Sequence, residues 1–369
     1  MNGLGLAQIV CYCRERQQIQ ANARQWQVLH HIEDCRTQKM GTGSYQCNGC
    51  GHRWFWHHSC RDRHCPQCQR QASDAWVDRQ KSQLVPAPYF HIVFTLPHDL
   101  NEWVGRHSRP IYGALFHAAW SALNGLADRK YHGQAGMTAV LHTWGQNLSR
   151  HVHLHCLVPA GVLSDKGWNP IHKGYFLPVK LLSNRFRGTM VSELRQAYEQ
   201  GALSTVEKAT LDDTLSHLMT HPWVVYCKSA LEYRETLVSY LARYTYRVGL
   251  SNHRLESWKD NQVTLSYFDN KAKKASRLSL EPAELIRRFL LHVLPRGFMR
   301  IRHYGYLSNA VKKRSLEKIK RHSGEPTKKA EKVETDTALT GCRCPSCGES
   351  KVVYLGDNNH DTQLRLNSS

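Results

Sequence analysis

The stretch Arg150-His151-Val152-His153-Leu154-His155-Cys156-Leu157-Val158 alternates histidine with apolar residues. A β-strand directs successive side chains to opposite faces. As a strand, this segment turns Val152, Leu154, Cys156 and Val158 toward a core and lines up His151, His153 and His155 on the other face. Two imidazoles at i and i+2 are close enough to share one metal ion, and they form half a site whose other ligands come from elsewhere. In a chain with 23 His among 369 residues, a half-buried strand that merely exposes three imidazoles is the plainer alternative.

Just upstream, Ala139-Val140-Leu141-His142-Thr143-Trp144 reads as a second strand, and Gly145-Gln146-Asn147 as the turn between them. A hairpin there puts His142 beside the histidine strand, where it can supply a third imidazole to a metal on His153 and His155. Further back, apolar positions at helical spacing over 107–130 predict a helix. Tyr89-Phe90-His91-Ile92-Val93-Phe94-Thr95-Leu96-Pro97, bounded by prolines, predicts the first strand of this domain. Downstream, residues 183–220 read as one or two helices and Trp223–Cys227 as another strand. Asp260-Asn261 marks the turn of a hairpin over 254–268, and a helix runs from Pro282 to about Leu294.

A helix over Leu231–Arg247 brings Tyr240 and Tyr244 one turn apart on one face, with Leu237 and Leu241 as anchors and Arg243 and Arg247 placed to hold phosphate. A phenol, with its pKa near 10, is a poor nucleophile at neutral pH. It becomes useful against a phosphodiester that a metal has already polarised. Packing or stacking is the alternative role for these rings. No G-x-x-x-x-G-K-[ST] loop occurs, so strand breakage would proceed without ATP, and a covalent phosphotyrosine would store the bond energy for rejoining.

The N-terminal part carries different chemistry. Residues 1–34 read as helical, with Cys11 and Cys13 as structural thiols. Cys47-x2-Cys50 is followed after fourteen residues by Cys65-x2-Cys68, and two such knuckles close a four-cysteine Zn2+ site. The segment has little apolar mass of its own, so a metal staple would hold it. Cys35, Cys60 and His64 could complete a second site, or could be ordinary residues of a small domain. Arg53, Arg61 and Arg63, interleaved with Trp54, Phe55 and Trp56, suit DNA contacts, although the aromatics could equally be the module's core. A helix over 71–85 leads out of the module. Near the other end, the Lys/Arg-rich residues 311–335 read as a charged, partly disordered arm or a solvated linker. Cys342, Cys344 and Cys347 form half a knuckle with no obvious fourth ligand.

Fifty Lys+Arg against thirty Asp+Glu leave a formal charge of +20 spread along the chain, and nucleic acid is the simplest partner for such a surplus. No apolar run approaches a bilayer span, and the N-terminus lacks the features of a signal peptide, so the expectation is a cytoplasmic, nucleoid-associated protein with no membrane partner. Thirteen cysteines without an export signal favour metal ligation over disulfides.

Together these motifs resemble the IS91-type transposases, members of the HUH superfamily of single-strand endonucleases. The resemblance rests on Ser59-Cys60-Arg61-Asp62-Arg63-His64-Cys65-Pro66-Gln67-Cys68, on Tyr89–Pro97 and Leu141–Asn147, on the His153-Leu154-His155 pair, and on Tyr240-Leu241-Ala242-Arg243-Tyr244 with Ser251-Asn252-His253-Arg254 after it. It implies an α+β fold in which a central antiparallel sheet flanked by helices carries the histidine pair, plus a small Cys-rich zinc-binding domain. It also implies catalytic Mg2+ or Mn2+ and rolling-circle-like transposition through single-stranded DNA. His142 looks like the counterpart of the third histidine that related relaxases place upstream of the pair and His151 like a non-liganding neighbour, while Tyr246 stands where many members have His.

The domain organisation expected is a helical segment over 1–34, a zinc-binding DNA-binding domain over 35–85, a nuclease domain over 86–310, and a basic linker with a Cys-containing tail over 311–369. The expected activity is nicking and rejoining of single-stranded transposon ends through a 5′-phosphotyrosine on Tyr240 or Tyr244, with hairpin or specific end sequences as the recognised DNA. A plasmid relaxase or replication initiator with the same chemistry, and a non-catalytic zinc-dependent DNA-binding regulator, are the alternatives.

Overall fold

The computed structural model describes residues 4–68, 83–171, 176–231, 249–269, 272–323 and 342–358. Met1–Gln69 and Lys328–Ser369 form one compact unit, and Arg70–Thr327 a second.

In the first unit the helical N-terminus is two helices. Helix α1 (Leu6–Glu15) buries Leu6, Ile9, Val10 and Cys13, an i, i+3, i+4, i+7 stripe that packs on α2 (Ala23–Asp34). The break between them is enforced by a new helix start. The Asn22 side chain accepts from the Gln25 N–H at 3.0 Å while Gln25 Oε1 accepts from the Asn22 N–H at 2.9 Å, a reciprocal capping box. Strands β1 (Thr42–Cys47) and β2 (Arg53–His57) then form a hairpin.

The second unit is built on a five-stranded antiparallel sheet. Its elements in chain order begin with β3 (Tyr89–Thr95), α3 (Asn101–Tyr131), β4 (Gly136–Trp144) and β5 (Arg150–Pro159). A small pair, β6 (Gly161–Ser164) and β7 (Gly167–Pro170), precedes α4 (Val179–Glu199), α5 (Lys208–Thr220) and β8 (Val225–Leu231). A three-stranded sheet of β9 (Leu255–Lys259), β10 (Gln262–Asp269) and β11 (Lys274–Leu280) follows, then α6 (Pro282–Leu290), β12 (Ile301–Gly305) and α7 (Lys312–Ser323). The order across the large sheet is β12-β4-β5-β3-β8.

The alternation read in the sequence decides which face of this sheet is core. Phe90, Ile92 and Phe94 of β3, Met137, Ala139 and Leu141 of β4, and Val152, Leu154, Cys156 and Val158 of β5 are all buried in one cluster with α3 and α4. Helix α3 starts earlier than its apolar spacing suggested. It bends at His107, whose φ/ψ of −128°/43° is not helical, because Pro110 has no N–H to give and its ring crowds the preceding turn. The hairpin of β9 and β10 turns at Asp260 and Asn261, both with positive φ, as the type I′ turn that matches the right-handed twist of the strands requires.

Two sequence expectations change. The basic arm is not structureless at its start: α7 occupies 312–323, with Ile319 fully buried in a cluster that includes Leu157 and Tyr306. The charged residues had masked a short apolar stripe at Leu316 and Ile319. The tail is also not a loose appendage. Strand β13 (Val352–Asn358) pairs antiparallel along β1, giving the first unit a sheet of order β13-β1-β2. The helix expected over 71–85 falls, up to residue 82, outside the described residues, as does, from residue 232 on, the tyrosine helix expected over Leu231–Arg247, whose first residue instead ends β8. Among the described residues no helix is long and apolar enough to cross a membrane.

Candidate metal and DNA-cleavage site

The face of the large sheet opposite the core carries the histidines. Strands β4 and β5 are joined by a turn in which Gly145 N–H donates to Ser149 O at 2.8 Å, and the register sets His142 directly across from His153. Val140 lies across from His155, so His142 is diagonal to it. The three rings meet: their centroids are 4.5 Å apart for His142–His155, 4.8 Å for His153–His155 and 5.2 Å for His142–His153. One nitrogen from each ring lies within 4.8 Å of the others.

Each imidazole of the β5 pair has its Nδ1 held by a neighbour. His153 Nδ1 is 3.0 Å from the His151 carbonyl, so it donates there and leaves Nε2 with a lone pair. His155 Nδ1 is 2.9 Å from His91 Nε2, and its own Nε2 faces His153 Nε2 at 3.1 Å. Such outer partners fix tautomer and ring orientation at metal sites. The rings are also kept neutral. Burial lowers His153 to about 4, with the neighbouring His151 adding to the effect. Burial, followed by the repulsion of His142 and His153, holds His155 well below the ordinary histidine value. His91 falls to about 4 through burial and the charge of Lys228, which stands across from it on β8. Three imidazole nitrogens converging in this way could hold a divalent transition-metal ion.

Around the trio, Trp144 stacks on His142 at 4.7 Å, and His292 donates or accepts at the Thr143 hydroxyl and reaches Leu148 O at 3.0 Å. Arg254 donates from Nε to Ser266 O at 2.9 Å, from Nη1 to Gly249 O at 2.5 Å and from Nη2 to Gln146 O, which ties the three-stranded sheet to the turn between β4 and β5. His91 thus braces the site without having been assigned a role from the sequence, and Arg254, quoted there only as part of the family motif, braces the turn beside it. His91 alternates with the core residues Phe90 and Ile92, but only the pairing of β3 with β5 places it beside the site. Tyr240, Tyr244, Arg243 and Arg247 lie outside the described residues.

In the first unit the thiols converge, but not in the expected pairing. Cys35, Cys60, Cys65 and Cys68 form one group of four, and Cys47, Cys50, Cys344 and Cys347 another. The two knuckles expected to share a zinc belong to different groups. Cys47-x2-Cys50 is the tip of the β1–β2 hairpin, whereas Cys35 and Cys60 flank its open end, where Thr42 pairs with His57. A strand of this length separates the two ends by roughly 15–20 Å, too far for one ion. The first group has Sγ–Sγ distances of 3.5 Å for Cys35–Cys68 and 3.6 Å for Cys60–Cys68. A tetrahedron with Zn–S bonds of about 2.3 Å has edges of about 3.8 Å, so these thiols fit Zn2+.

His64 is not a ligand in either group. Its backbone N–H and Nδ1 both bond Asp62 Oδ1, at 2.8 and 2.9 Å. Burial alone would raise the Asp62 carboxyl, but the bonds from His64 and His31 hold it below the usual range. Arg53 and Arg61 are exposed, while Arg63 is half-buried beside Asp62 and Arg24. Trp54 stacks on Tyr45 at 6.0 Å, whereas Phe55 and Trp56 stay 62% and 53% exposed, so those two are not a core.

Comparison with known proteins agrees with both units. The family described as "Transposase zinc-binding domain" matches residues 8–96, and the family described as "Putative transposase" matches residues 136–315. The chain is 36% identical over 353 residues to "Putative transposase y4qJ" of Sinorhizobium fredii, covering 90% of this chain and 89% of that one. It is 28% identical over 345 residues to the transposase for insertion sequence element IS801 of Pseudomonas savastanoi pv. phaseolicola, covering 87% and 80%. A solved structure of the conjugative relaxase TrwC in complex with oriT DNA is 10% identical and covers 64% of this chain and 72% of that one. Its TM-score of 0.25 is too low to bear on the fold. With a zinc-binding module ahead of a transposase domain and a relative matched over nine-tenths of its length, this chain belongs to the IS91 family of transposases.

Proposed function

We propose that this transposase nicks and rejoins single-stranded transposon-end DNA, with a tyrosine as nucleophile and His142, His153 and His155 holding a divalent ion at the scissile phosphate. The observation that carries the reading is the convergence of three imidazole nitrogens on one face of the central sheet. Three protein donors leave coordination positions open to phosphate oxygens. The all-nitrogen set suits Mn2+ more than Mg2+, which favours oxygen ligands. When bound, the ion supplies Lewis-acid polarisation of the phosphate.

The chain's own residues do the rest. His91 and the His151 carbonyl hold the His155 and His153 rings so that each Nε2 keeps its lone pair. The hydroxyl of Tyr240 or Tyr244 loses its proton to solvent as its oxygen bonds to phosphorus. The bond from phosphorus to the 3′ oxygen breaks, and that oxygen takes up a proton to become a 3′-hydroxyl. The resulting 5′-phosphotyrosine keeps the ester energy for rejoining, in accord with a sequence that has no P-loop. Four residues of helix rise only about 6 Å, so the second tyrosine would reach the other strand or end. Arg53 and Arg61 would meet phosphates while Phe55 and Trp56 stack on bases, with Arg63, Arg243 and Arg247 as further contacts. The charge of +20 supports this footprint.

The test is adduct trapping with single-stranded end DNA and Mn2+. Wild-type chain is expected to form a covalent adduct at the 5′ side of the nick, and Tyr240→Phe with Tyr244→Phe to form none. Unchanged adduct in both single variants and in the double variant rules the mechanism out. Joining of the cleaved end to a target strand separates transposition from the nicking of a plasmid origin.

A further inference from the structure

We propose that Cys47, Cys50, Cys344 and Cys347 bind one Zn2+ as a tetrathiolate, closing a zinc ribbon whose halves come from opposite ends of the chain. Its second half lies beyond both family matches, which end at residues 96 and 315. Cys47 Sγ is 3.7 Å from Cys347 Sγ across 300 residues, and Cys50 Sγ is 3.6 Å from Cys344 Sγ across 294. Those separations match the edge of about 3.8 Å in a zinc–sulfur tetrahedron and are far longer than a disulfide bond of about 2.05 Å.

The stronger observation is that the two turns repeat one another. Each reads Cys-x-x-Cys-Gly. Gly51 N–H donates to Cys47 O at 2.8 Å, and Gly348 N–H to Cys344 O at 2.9 Å. Cys47 N–H donates to His52 O at 2.9 Å, and Cys344 N–H to Glu349 O at 2.8 Å. Gly49 N–H points at Cys47 Sγ and Ser346 N–H at Cys344 Sγ, both at 3.4 Å. Gly51 and Gly348 have φ of +74° and +76°, a left-handed turn that favours glycine. In each turn an amide N–H therefore stabilises the thiolate of the first cysteine, the form a metal requires. Asn48 N–H reaches Lys351 O at 2.8 Å, linking the turns, and β13 then runs antiparallel along β1 from Val352 opposite Cys47. Two knuckles and a three-stranded sheet make the complete ribbon, and soft thiolates select zinc.

The proposal does not rest on the DNA-cleavage reading, and its readouts need no DNA. Elemental analysis of the purified full chain is expected to give two tightly held zinc ions. Cys344→Ser with Cys347→Ser should leave one, as should Cys47→Ser with Cys50→Ser, and the fourfold variant should also keep one. Two zinc ions retained in the Cys344→Ser/Cys347→Ser chain would overturn the site. Because a double variant can lose its fold, the second measurement uses the unaltered protein. Cys50 and Cys347 are exposed and Cys342 is half-exposed. Under native alkylation read by mass spectrometry, Cys342 should label at once while Cys50 and Cys347 resist until a chelator is added, and then label together with Cys47 and Cys344. Labelling of Cys50 and Cys347 at the rate of Cys342 in the zinc-loaded chain contradicts the proposal.

Discussion

His142, His153 and His155 stand on two neighbouring strands whose register is fixed by a hydrogen-bonded ladder, with a large buried core behind them. Cys47, Cys50, Cys344 and Cys347 stand on two tight turns joined by a single strand pair in a unit with far less apolar mass. The sheet can hold its three ligands in place without an ion, because burial of Leu154 and Leu141 sets the geometry before any metal arrives. The turns have much less behind them: the Asn48–Lys351 hydrogen bond and the β1–β13 pair bring the four thiols together, and an ion would have to hold them there. On the proposed reading, one metal would serve chemistry on a finished scaffold, and the zinc ions would be part of the scaffold.

The largest effect expected from this contrast is on folding. Stripping zinc should unfold the first unit, since structural zinc contributes on the order of 10–16 kcal/mol to such modules. The second unit should keep its cooperative melt. Hydrogen exchange resolved by segment checks this, and protection retained at Thr42–Cys47 after chelation would break the comparison. Next in size is activity. His153→Ala or His155→Ala should lower single-strand cleavage by about 10³-fold or more, as loss of a metal worth several kcal/mol in the transition state implies. The melting of both units should stay near wild type. A smaller effect belongs to His91. Replacing it with Phe removes the partner of His155 Nδ1 and should weaken Mn2+ binding by about 10–100-fold, seen by calorimetry, with the fold retained.

The smallest effect is on stability against pH. In metal-free protein, burial lowers His303 to about 4, with Lys312 adding to it, and His91 is lowered to the same range. Between pH 6.5 and 4 the unfolded chain therefore binds more protons than the folded one, so stability is present above 6.5 and is lost as pH falls toward 4. The melting temperature of the second unit should drop across that window, and His303→Gln should flatten the dependence.

The histidine face was legible in the sequence because a period of two is a local signal: His153 and His155 needed only their own neighbours, and His142 only a short turn. His91 was hidden because the sequence does not say that β3 lies beside β5. The zinc pairing was misread for a related reason. The C-x2-C…C-x2-C spacing looks like one site, but the hairpin of β1 and β2 carries its two halves apart, and the thiols that meet Cys47 and Cys50 lie some three hundred residues on. The alternation of β4 and β5 carried over to the structure, and closures between distant segments were not legible. The buried stripe at Leu316 and Ile319 failed in a third way, drowned by Lys and Arg on either side.

Three imidazoles from two neighbouring strands would hold one divalent ion in this protein. Pulsed electron paramagnetic resonance of Mn2+-loaded, zinc-replete protein carrying 15N-histidine tests it most directly. Hyperfine coupling from three histidine nitrogens is expected in wild type and from one in His153→Ala/His155→Ala. Bound Mn2+ without histidine nitrogen coupling, or a spectrum unchanged by those substitutions, would contradict it.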